Sequence, residues 1–315
     1  MIDNRSNLQK VLEAGYFSVS AELGPPMSAN GDFVKEKARA LSGIVDAVNI
    51  TDNQTAIVRM SSIAAACICM NEGVEPIVQM TCRDRNRIAI QSDLLGAYAL
   101  GLKNLLCLSG DHQTFGNHPQ AKNVYDIDSI QLIQGLRKQK EESIFMSGSP
   151  TKKPSEFFLG AAANPFADPE ELQFIRLYKK IEAGAQFIQT QAIYDVEQFS
   201  QWMEKVRSQG LHKKIFILAG ILVNKSLKSL EMTNKVAGIH VPDALIERMK
   251  GASNKEEEGI AIALELIKDI REIEGVSGIH IMAVGWESIV PTIIEKAGLL
   301  PRPQIAEEKE SDPNA

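Results

Sequence analysis

Short apolar segments alternate with longer helical patterns along almost the whole 315-residue chain, and this alternation limits the possible folds more than any other feature. Several of the apolar segments are nearly continuous runs, which are typical of parallel strands covered on both faces. Between them lie patterns with apolar residues at i, i+3 and i+4, as in amphipathic helices. We predict strands over 17–23, 47–51, 76–82, 104–109, 157–163, 187–192, 214–222 and 278–284.

Eight strand–helix units predict an α/β fold of the (β/α)8 TIM-barrel type, with extra helices over 242–275 before the last strand. A doubly wound open sheet is the alternative, but no G-x-G-x-x-G or Walker motif follows any predicted strand. No linker divides the chain, so we assign 1–303 to a single catalytic barrel. The charged, Pro-containing segment 304–315 is predicted to be a disordered tail.

Charge and cysteine usage narrow the class of protein. The net charge of −6 disfavours binding to nucleic acid or to an anionic membrane. No apolar run reaches about 18 residues, and the first residues lack the apolar core of a secretory signal. The four cysteines have no paired spacing of a zinc or iron–sulfur site and are typical of reduced core residues. We therefore expect a cytoplasmic protein without a metal site.

Polar residues at the carboxyl ends of the predicted strands are the candidates for chemistry, because the active site of such a barrel lies there. Two carboxylates among them, Glu22 and Asp111, predict acid–base chemistry. The full set is Glu22, Thr51, Asp52, Asn53, Gln79, Thr81, Arg83, Ser109, Gly110, Asp111, His112, Asn164, Gln189, Gln191, Asn224, Trp286 and Glu287.

Each candidate also has a purely structural interpretation. Glu22 precedes a stiff Gly-Pro-Pro turn, and could cap that turn or pair with a lysine. Asp111 could be an ordinary turn aspartate, and Gln191 a buried amide bonded to backbone. The run TCRDRNR could be a solvated loop in which arginines pair with Asp84. His112 and His118 are the only close pair of histidines and lack ligand spacing.

Several segments in combination resemble the methylenetetrahydrofolate reductase family, in matching order over roughly 15 to 300. The first-strand motif AELGPP resembles the family's Glu-containing motif, commonly written EFFPP. The segment over 81–111 resembles the branch that carries TCRDRN and a fourth strand ending in GD. The segments that carry the resemblance are AELGPP, VNITDNQ, TCRDRNRIAIQSDLLGAYALGLKNLLCLSGD, VYDIDSIQLI, KKIEAGAQFIQTQAIYD and LAGIL.

The resemblance implies a (β/α)8 barrel that uses FAD to reduce 5,10-methylenetetrahydrofolate to 5-methyltetrahydrofolate. It implies that Glu22 is the general acid, which supplies a proton to the pterin from a rigid strand end. Asp111 matches an aspartate near the flavin and the pterin, and Gln191 and Leu227 match substrate-binding positions. The positions that match cofactor-binding residues are Thr51, Gln79, Leu108, Ser109, Gly110, Asp111, Tyr125, Ala163, Asn164, Lys179 and Lys180.

The chain departs from better-known members at aromatic positions. Gln79 replaces a histidine, Asn164 replaces a tyrosine, and Leu227 and Ala192 stand where aromatic residues help to bind NADH. The resemblance therefore leaves two electron donors, NAD(P)H or an electron-transfer protein that brings its own iron–sulfur centre. Some members from anaerobes are subunits of larger complexes of this kind, so a homo- or hetero-oligomer is expected.

Two further functions stay open at this point. A barrel that binds folate without redox work would keep the pterin site and need no flavin. An aldolase would need a Schiff-base lysine at the carboxyl end of a strand, and none of the predicted strands offers one.

Overall fold

In the computed structural model, which describes residues 4–305, eight parallel strands close into a barrel in chain order. The eighth strand pairs with the first, so the sheet has no free edge. Each strand ends within two residues of its predicted limits, which confirms the predicted (β/α)8 fold. The strands are β1 (Ser18–Leu23), β2 (Ala47–Ile50), β3 (Pro76–Thr81), β4 (Asn104–Leu108), β5 (Phe158–Ala163), β6 (Phe187–Ala192), β7 (Phe216–Leu222) and β8 (Gly278–Met282).

Helices cover the outside of the barrel. Two of them, α9 and α10, fill the segment 242–275 for which extra helix was predicted. None of the helices between residues 4 and 305 is long and apolar enough to cross a membrane. The α-helices within that range are α1 (Asn7–Glu13), α2 (Gly31–Leu41), α3 (Ser62–Asn71), α4 (Arg87–Ala99), α5 (Ser129–Glu142), α6 (Glu170–Ala183), α7 (Val196–Ser208), α8 (Leu227–Thr233), α9 (Asp243–Gly251), α10 (Lys255–Arg271) and α11 (Val290–Lys296).

Both limits of α6 follow from its sequence. Pro169 lies immediately before its first residue, where a missing N–H costs no helical hydrogen bond. Gly184 follows its last residue with a φ of 114°, a conformation that favours glycine. The predicted disordered tail over 304–315 lies, from residue 306 onward, outside the described residues.

The amino-terminal end of the barrel is closed by α1. Glu75 holds this helix, because its carboxylate accepts hydrogen bonds from the backbone N–H groups of Asn7 and Leu8 at 2.6 and 2.8 Å. Burial raises the pKa of Glu75. The apolar cluster beneath α1 consists of Leu8, Leu12, Ala47, Ile77, Leu106, Phe158, Phe187 and Leu218. This packing seals one end and leaves the opposite end open.

Two phenylalanines fill the interior of the barrel above α1. The rings of Phe158 and Phe187 stack with their centroids 5.0 Å apart. A Cβ atom at Gly160 would lie only 2.2 Å from the Phe187 ring, so a glycine is required beside it.

The barrel interior changes from apolar to polar toward the carboxyl ends of the strands. Because alternate residues of a strand share a face, Asn49, Gln79 and Gln189 lie on the same inner face as Ala47, Ile77 and Phe187. All three polar side chains are buried. Ser20 and His280 are buried at the same level on β1 and β8.

The segment after α11 returns to the start of the barrel. The Arg302 guanidinium donates to both carboxylate oxygens of Asp46, at 3.1 and 2.5 Å, and to the backbone oxygen of Phe17. Asp46 also accepts a hydrogen bond from the Val19 N–H at 2.7 Å. Both charged side chains are buried, so this ion pair links the carboxyl-terminal segment to β1 and β2.

Candidate active site

A cavity of about 340 Å³ opens at the carboxyl ends of the strands, and we call it the mouth cavity. Both predicted acid–base carboxylates line it, although Glu22 lies on β1 and Asp111 follows β4. The residues predicted from the sequence that line this cavity are Glu22, Asp52, Asn53, Gln79, Thr81, Arg83, Leu108, Ser109, Gly110, Asp111, Gln189 and Gln191. The barrel thus brings together side chains that are up to 169 residues apart in the chain.

Glu22 is mostly buried, with 12% of its side chain exposed. One carboxylate oxygen accepts a hydrogen bond from the Gln54 amide at 3.2 Å, and the other lies 3.7 Å from His280 Nε2. On its other side, the His280 ring places Nδ1 at 3.1 Å from Ser20 Oγ. The ionisable side chain within ion-pair distance of Glu22, among residues 4–305, is therefore a histidine and not the lysine of the alternative interpretation.

Asn49 and Gln189 form the floor of the mouth cavity. The Asn49 amide donates to Gln189 Oε1 at 2.5 Å, and the Gln189 amide donates back to Asn49 Oδ1 at 3.0 Å. Gln189 also donates to Ser20 Oγ at 3.3 Å. One buried hydrogen-bond network therefore runs from Asn49 on β2 through Gln189 and Ser20 to His280, next to Glu22.

Asp111 is exposed at the rim, and it connects two loops. Its carboxylate accepts a hydrogen bond from the Thr55 N–H at 3.2 Å, and its backbone oxygen accepts one from Arg83 at 3.1 Å. Thr55 has a φ of 57°, which is unusual for a β-branched residue. Asp111 thus binds backbone 56 residues away in the chain, which an ordinary turn aspartate would not do.

The first half of the TCRDRN segment is buried and connects loops, whereas Asp84 and Asn86 are exposed. Arg83 is 2% exposed, and its guanidinium donates to Asp84 at 2.6 and 2.7 Å and to the backbone oxygen of Asn53 at 3.3 Å. Arg85 donates to buried Asp52 at 2.8 Å. These pairs tie the loops after β2, β3 and β4 together, with the internal pairing to Asp84 that the sequence allowed.

A bulge in β6 places two successive residues at the mouth cavity. Gln189 is paired with Leu218 and Ala192 with Gly220, so β6 has one more residue than β7 between these pairs. Thr190 and Gln191 both line the cavity, whereas a regular strand would direct them to opposite faces. Gln191 is exposed into the cavity, so its interpretation as a buried amide is wrong.

Four predicted cofactor positions lie beside the mouth cavity without lining it. Lys180 donates to the backbone oxygen of Ala162, a lining residue, at 2.5 Å. Burial, reinforced by the nearby Arg176, lowers the pKa of Lys180 to about 8. The Tyr125 hydroxyl donates to the Gly110 backbone oxygen at 3.1 Å. Ala163 ends β5, and the buried Thr51 hydroxyl has no hydrogen-bond partner within residues 4–305.

Three predicted positions lie away from the mouth cavity. Lys179 lines a depression on the outer surface, together with Tyr178 and Lys205. Leu227 begins α8 and packs against the main apolar core. Asn164 donates to the Ala237 backbone oxygen at 3.3 Å. The cofactor and substrate roles of all these residues stay predictions.

Other polar candidates make contacts outside the mouth cavity. Asn224 is buried, where its amide donates to Ser229 and Thr233. His112 is exposed and contacts Thr114. Trp286 packs against the main apolar core. No group of three His, Cys, Asp or Glu side chains within residues 4–305 is arranged to hold a metal ion.

Several residues around Glu22 were not predicted from the sequence as site residues. Gln54 donates to Glu22, and Ser20, Asn49 and His280 belong to the buried network. The sequence carried a signal for two of these residues, since Asn49 and His280 are each a lone polar residue within an apolar strand. Strand periodicity also places Ser20 on the same face as Glu22.

A family model described as methylenetetrahydrofolate reductase matches residues 7–298, a range that contains all eight strands and the mouth cavity. The chain belongs to the methylenetetrahydrofolate reductase family. The predicted membership of this family is thereby confirmed, whereas the resemblance to the branch that carries TCRDRN stays a prediction.

Relatives with this family name come from fungi and bacteria. Methylenetetrahydrofolate reductase 1 of Schizosaccharomyces pombe is 27% identical over 235 residues, which are 72% of this chain and 36% of that protein. The 5,10-methylenetetrahydrofolate reductase of Pectobacterium carotovorum is 25% identical over 242 residues, or 74% and 72% of the two chains. The match to the fission yeast protein therefore spans little more than a third of its length.

A solved structure supports the barrel assignment. A protein from Clostridium thermocellum, described as uncharacterized and as binding two copies of 5-methyl-5,6,7,8-tetrahydrofolic acid, superposes with a TM-score of 0.66. The match covers 94% of this chain and all of that one, at 14% identity. At this identity the likeness shows the shared fold alone.

Proposed function

We propose that this member of the methylenetetrahydrofolate reductase family catalyses the flavin-dependent reduction of 5,10-methylenetetrahydrofolate to 5-methyltetrahydrofolate, in cytoplasmic one-carbon metabolism. One observation carries the proposal: Glu22, Asp111 and Gln191 all line the mouth cavity of a barrel that belongs to this family. The folate ligand of the Clostridium thermocellum protein, which shares the fold, is consistent with it.

Glu22 is suited to act as the general acid that opens the methylene bridge. A general acid must be held within hydrogen-bond reach of the atom that it protonates. Glu22 stands at the end of β1, is mostly buried, and is oriented by the Gln54 amide. The Gly-Pro-Pro turn after β1 restricts the backbone there. The carboxyl group can therefore supply a proton to the folate from a fixed position.

Asp111 and Gln191 are suited to hold the pterin. The edge of the pterin ring carries several N–H groups and a carbonyl oxygen. A carboxylate accepts from N–H groups, and a glutamine amide both donates and accepts. Both side chains are exposed to the mouth cavity: Asp111 follows β4 and Gln191 lies on β6, the two strands that flank β5.

The residues beside the mouth cavity fit FAD. The unpartnered Thr51 hydroxyl and the Gly110 backbone, whose φ is 89°, offer hydrogen-bonding groups where the flavin ring would bind. Lys180 is a buried cation suited to the diphosphate, and Tyr125 adjoins Gly110. When bound, FAD supplies the hydride that reduces the folate.

The electron donor is proposed to be a partner protein, with NAD(P)H as the alternative. No Phe, Tyr or Trp side chain lines the mouth cavity within the described part of the chain. A nicotinamide ring therefore lacks the aromatic surface on which it would stack. A partner that supplies electrons also implies a hetero-oligomer.

The test is the visible spectrum of the purified protein under anaerobic conditions. NADH or a chemical reductant is added first, and 5,10-methylenetetrahydrofolate is added second. We expect the flavin to be bleached by the reductant and to recover its colour with folate. In Glu22→Gln the flavin should still bind and be reduced, but folate should no longer reoxidise it. Glu36→Gln, which changes an exposed carboxylate on α2, is the matched control.

Each alternative has its own outcome in this experiment. Bleaching by dithionite but not by NADH places the electron donor in a partner protein. Folate binding without flavin, even after addition of FAD, would leave only the non-redox folate-binding barrel. Normal reoxidation in Glu22→Gln would refute the general-acid assignment.

A further inference from the structure

A second cavity of about 230 Å³ lies beside the mouth cavity, and we call it the side cavity. The two cavities share Glu22 and Gln54 in their walls. Phe33, Ala283 and Val284 give the side cavity an apolar surface. Pockets for whole small ligands begin at about 300 Å³. The side cavity is therefore sized for one end of a ligand whose remainder lies in the mouth cavity.

Arg59 is the cation of the side cavity that has no acidic partner. Its guanidinium donates from Nη1 to the Pro25 backbone oxygen at 3.0 Å, and its Nε is buried without a hydrogen-bond partner among the described residues. The other cation in the wall, Lys37, is paired with Glu287 at 2.8 Å. Within residues 4–305 no carboxylate lies within ion-pair distance of Arg59.

The backbone at Arg59 is held in place by two hydrogen bonds, which position its side chain at the cavity wall. Its own N–H donates to Asn53 at 3.0 Å, and the next residue, Met60, donates to the Pro26 backbone oxygen at 2.9 Å. A guanidinium has five N–H groups, and with Nε buried and one Nη1–H bonded to Pro25, the remaining N–H groups on Nη1 and Nη2 are left for a ligand. Such a fixed fork is suited to a bidentate contact with a carboxylate.

We propose that Arg59 binds a carboxylate of the glutamyl tail of the folate, in the side cavity, while the pterin occupies the mouth cavity. The proposal rests on the proposed function. The methylene bridge of the substrate joins N5 of the pterin to N10 of the p-aminobenzoyl group. Glu22, which would protonate this region, stands where the two cavities meet. The benzoyl ring then faces the apolar wall that contains Phe33, and the glutamyl carboxylate meets Arg59.

The experiment measures equilibrium binding of 5-methyltetrahydrofolate and of 5-methyltetrahydropteroate, which lacks the glutamate, to the full chain by calorimetry. We expect the wild-type protein to bind the glutamate-containing compound about 10- to 100-fold more tightly, as for other charge-assisted contacts. Arg59→Gln should remove this preference and leave the affinity for the pteroate unchanged. Arg59→Lys should keep part of it. Arg39→Gln, an exposed arginine paired with Glu72, is the control.

Other results separate this proposal from the proposed function. If Arg59→Gln weakens both compounds equally, Arg59 only supports the loop and the tail assignment is wrong. If the wild-type protein binds both compounds equally well, the assignment is also wrong, but the reductase stands. If the wild-type protein binds neither compound, the folate function itself fails and the Arg59 proposal fails with it.

Discussion

At the scale of single residues, the Asn49–Gln189 pair has consequences for both stability and the shape of the site. The two residues lie on opposite strands of the barrel and exchange two hydrogen bonds across its interior. Because each amide satisfies the other, neither orientation can reverse without loss of both bonds. The pair therefore fixes the floor of the mouth cavity and the donor that Gln189 offers to Ser20.

Replacement of one member of this pair should destabilise the protein more than replacement of both. Gln189→Leu leaves the Asn49 amide buried and unpaired, which costs about 1–3 kcal/mol. In the double variant Asn49→Leu/Gln189→Leu no orphaned amide remains in the pair, and we expect part of the loss to be recovered. Urea unfolding of the two single variants and the double variant checks this. Strictly additive losses would show that the pair is not coupled.

The buried polar residues beneath the mouth cavity could not be predicted as site residues from the sequence as readily as the two carboxylates could. Glu22 and Asp111 were identifiable because they end predicted strands or follow them. Asn49 and His280 lie inside predicted strands, and their partners are on strands far away in the chain. Only the closed order of the strands, in which β8 returns to β1 and β6 faces β2, brings these side chains together.

At the scale of elements, α6 separates two neighbouring lysines by its geometry. Consecutive residues of a helix point about 100° apart, so adjacent side chains do not share a face. Lys180 faces the barrel and reaches the Ala162 backbone oxygen, whereas Lys179 is exposed in the depression on the outer surface. The two lysines could not be distinguished from the sequence, because the direction of each helix face depends on packing.

This difference predicts that Lys180 and not Lys179 controls flavin affinity and its pH dependence. The ammonium of Lys180 is charged below its pKa of about 8, and binding of a diphosphate favours the charged form. FAD should therefore bind best below about pH 8 and more weakly as the pH rises above it. Titration of the flavin-free protein with FAD between about pH 6.5 and 9.5 checks this.

The matched variants of the two lysines complete this test. Lys180→Met should weaken FAD binding and abolish the pH dependence above about pH 8. Lys179→Met should change neither. If FAD binding to Lys180→Met kept its full pH dependence, another group would be responsible for that dependence.

The loops between elements were the least predictable part of the site. Each βα unit could be assigned from its own apolar pattern, and α6 even from its Pro169 and Gly184 limits. By contrast, the contacts of Arg83 with Asn53 and Asp111 join three separate βα loops. Charge alternation in TCRDRN indicated pairing with Asp84, but it carried no information about the distant backbone groups.

At the scale of the whole molecule, the buried ion pair of Arg302 and Asp46 holds the last described segment against the first strands. Its loss would leave the Asp46 carboxylate buried without its cation. Breaking a buried pair by removing one partner costs about 3–5 kcal/mol.

We therefore expect Arg302→Met to lower the free energy of unfolding by an amount of this size. Thermal and urea unfolding, followed by circular dichroism, measure the loss. Arg207→Met, which changes an arginine at the partly exposed ion pair with Glu274, is the control and should cost less than about 1 kcal/mol. A small effect of Arg302→Met would show that the carboxyl-terminal segment does not secure the barrel.

The same ion pair also limits how early the barrel can be completed while the protein is being synthesised. Asp46 is synthesised before its cation, which follows 256 residues later. At about 5–20 residues per second, a ribosome needs about 10–50 s to cover that interval. During this interval β1 and β2 lack the ion pair with Arg302, and β1 also lacks its pairing with β8. The nascent chain must therefore be kept from aggregation until β8 and then Arg302 have been synthesised and the barrel can close.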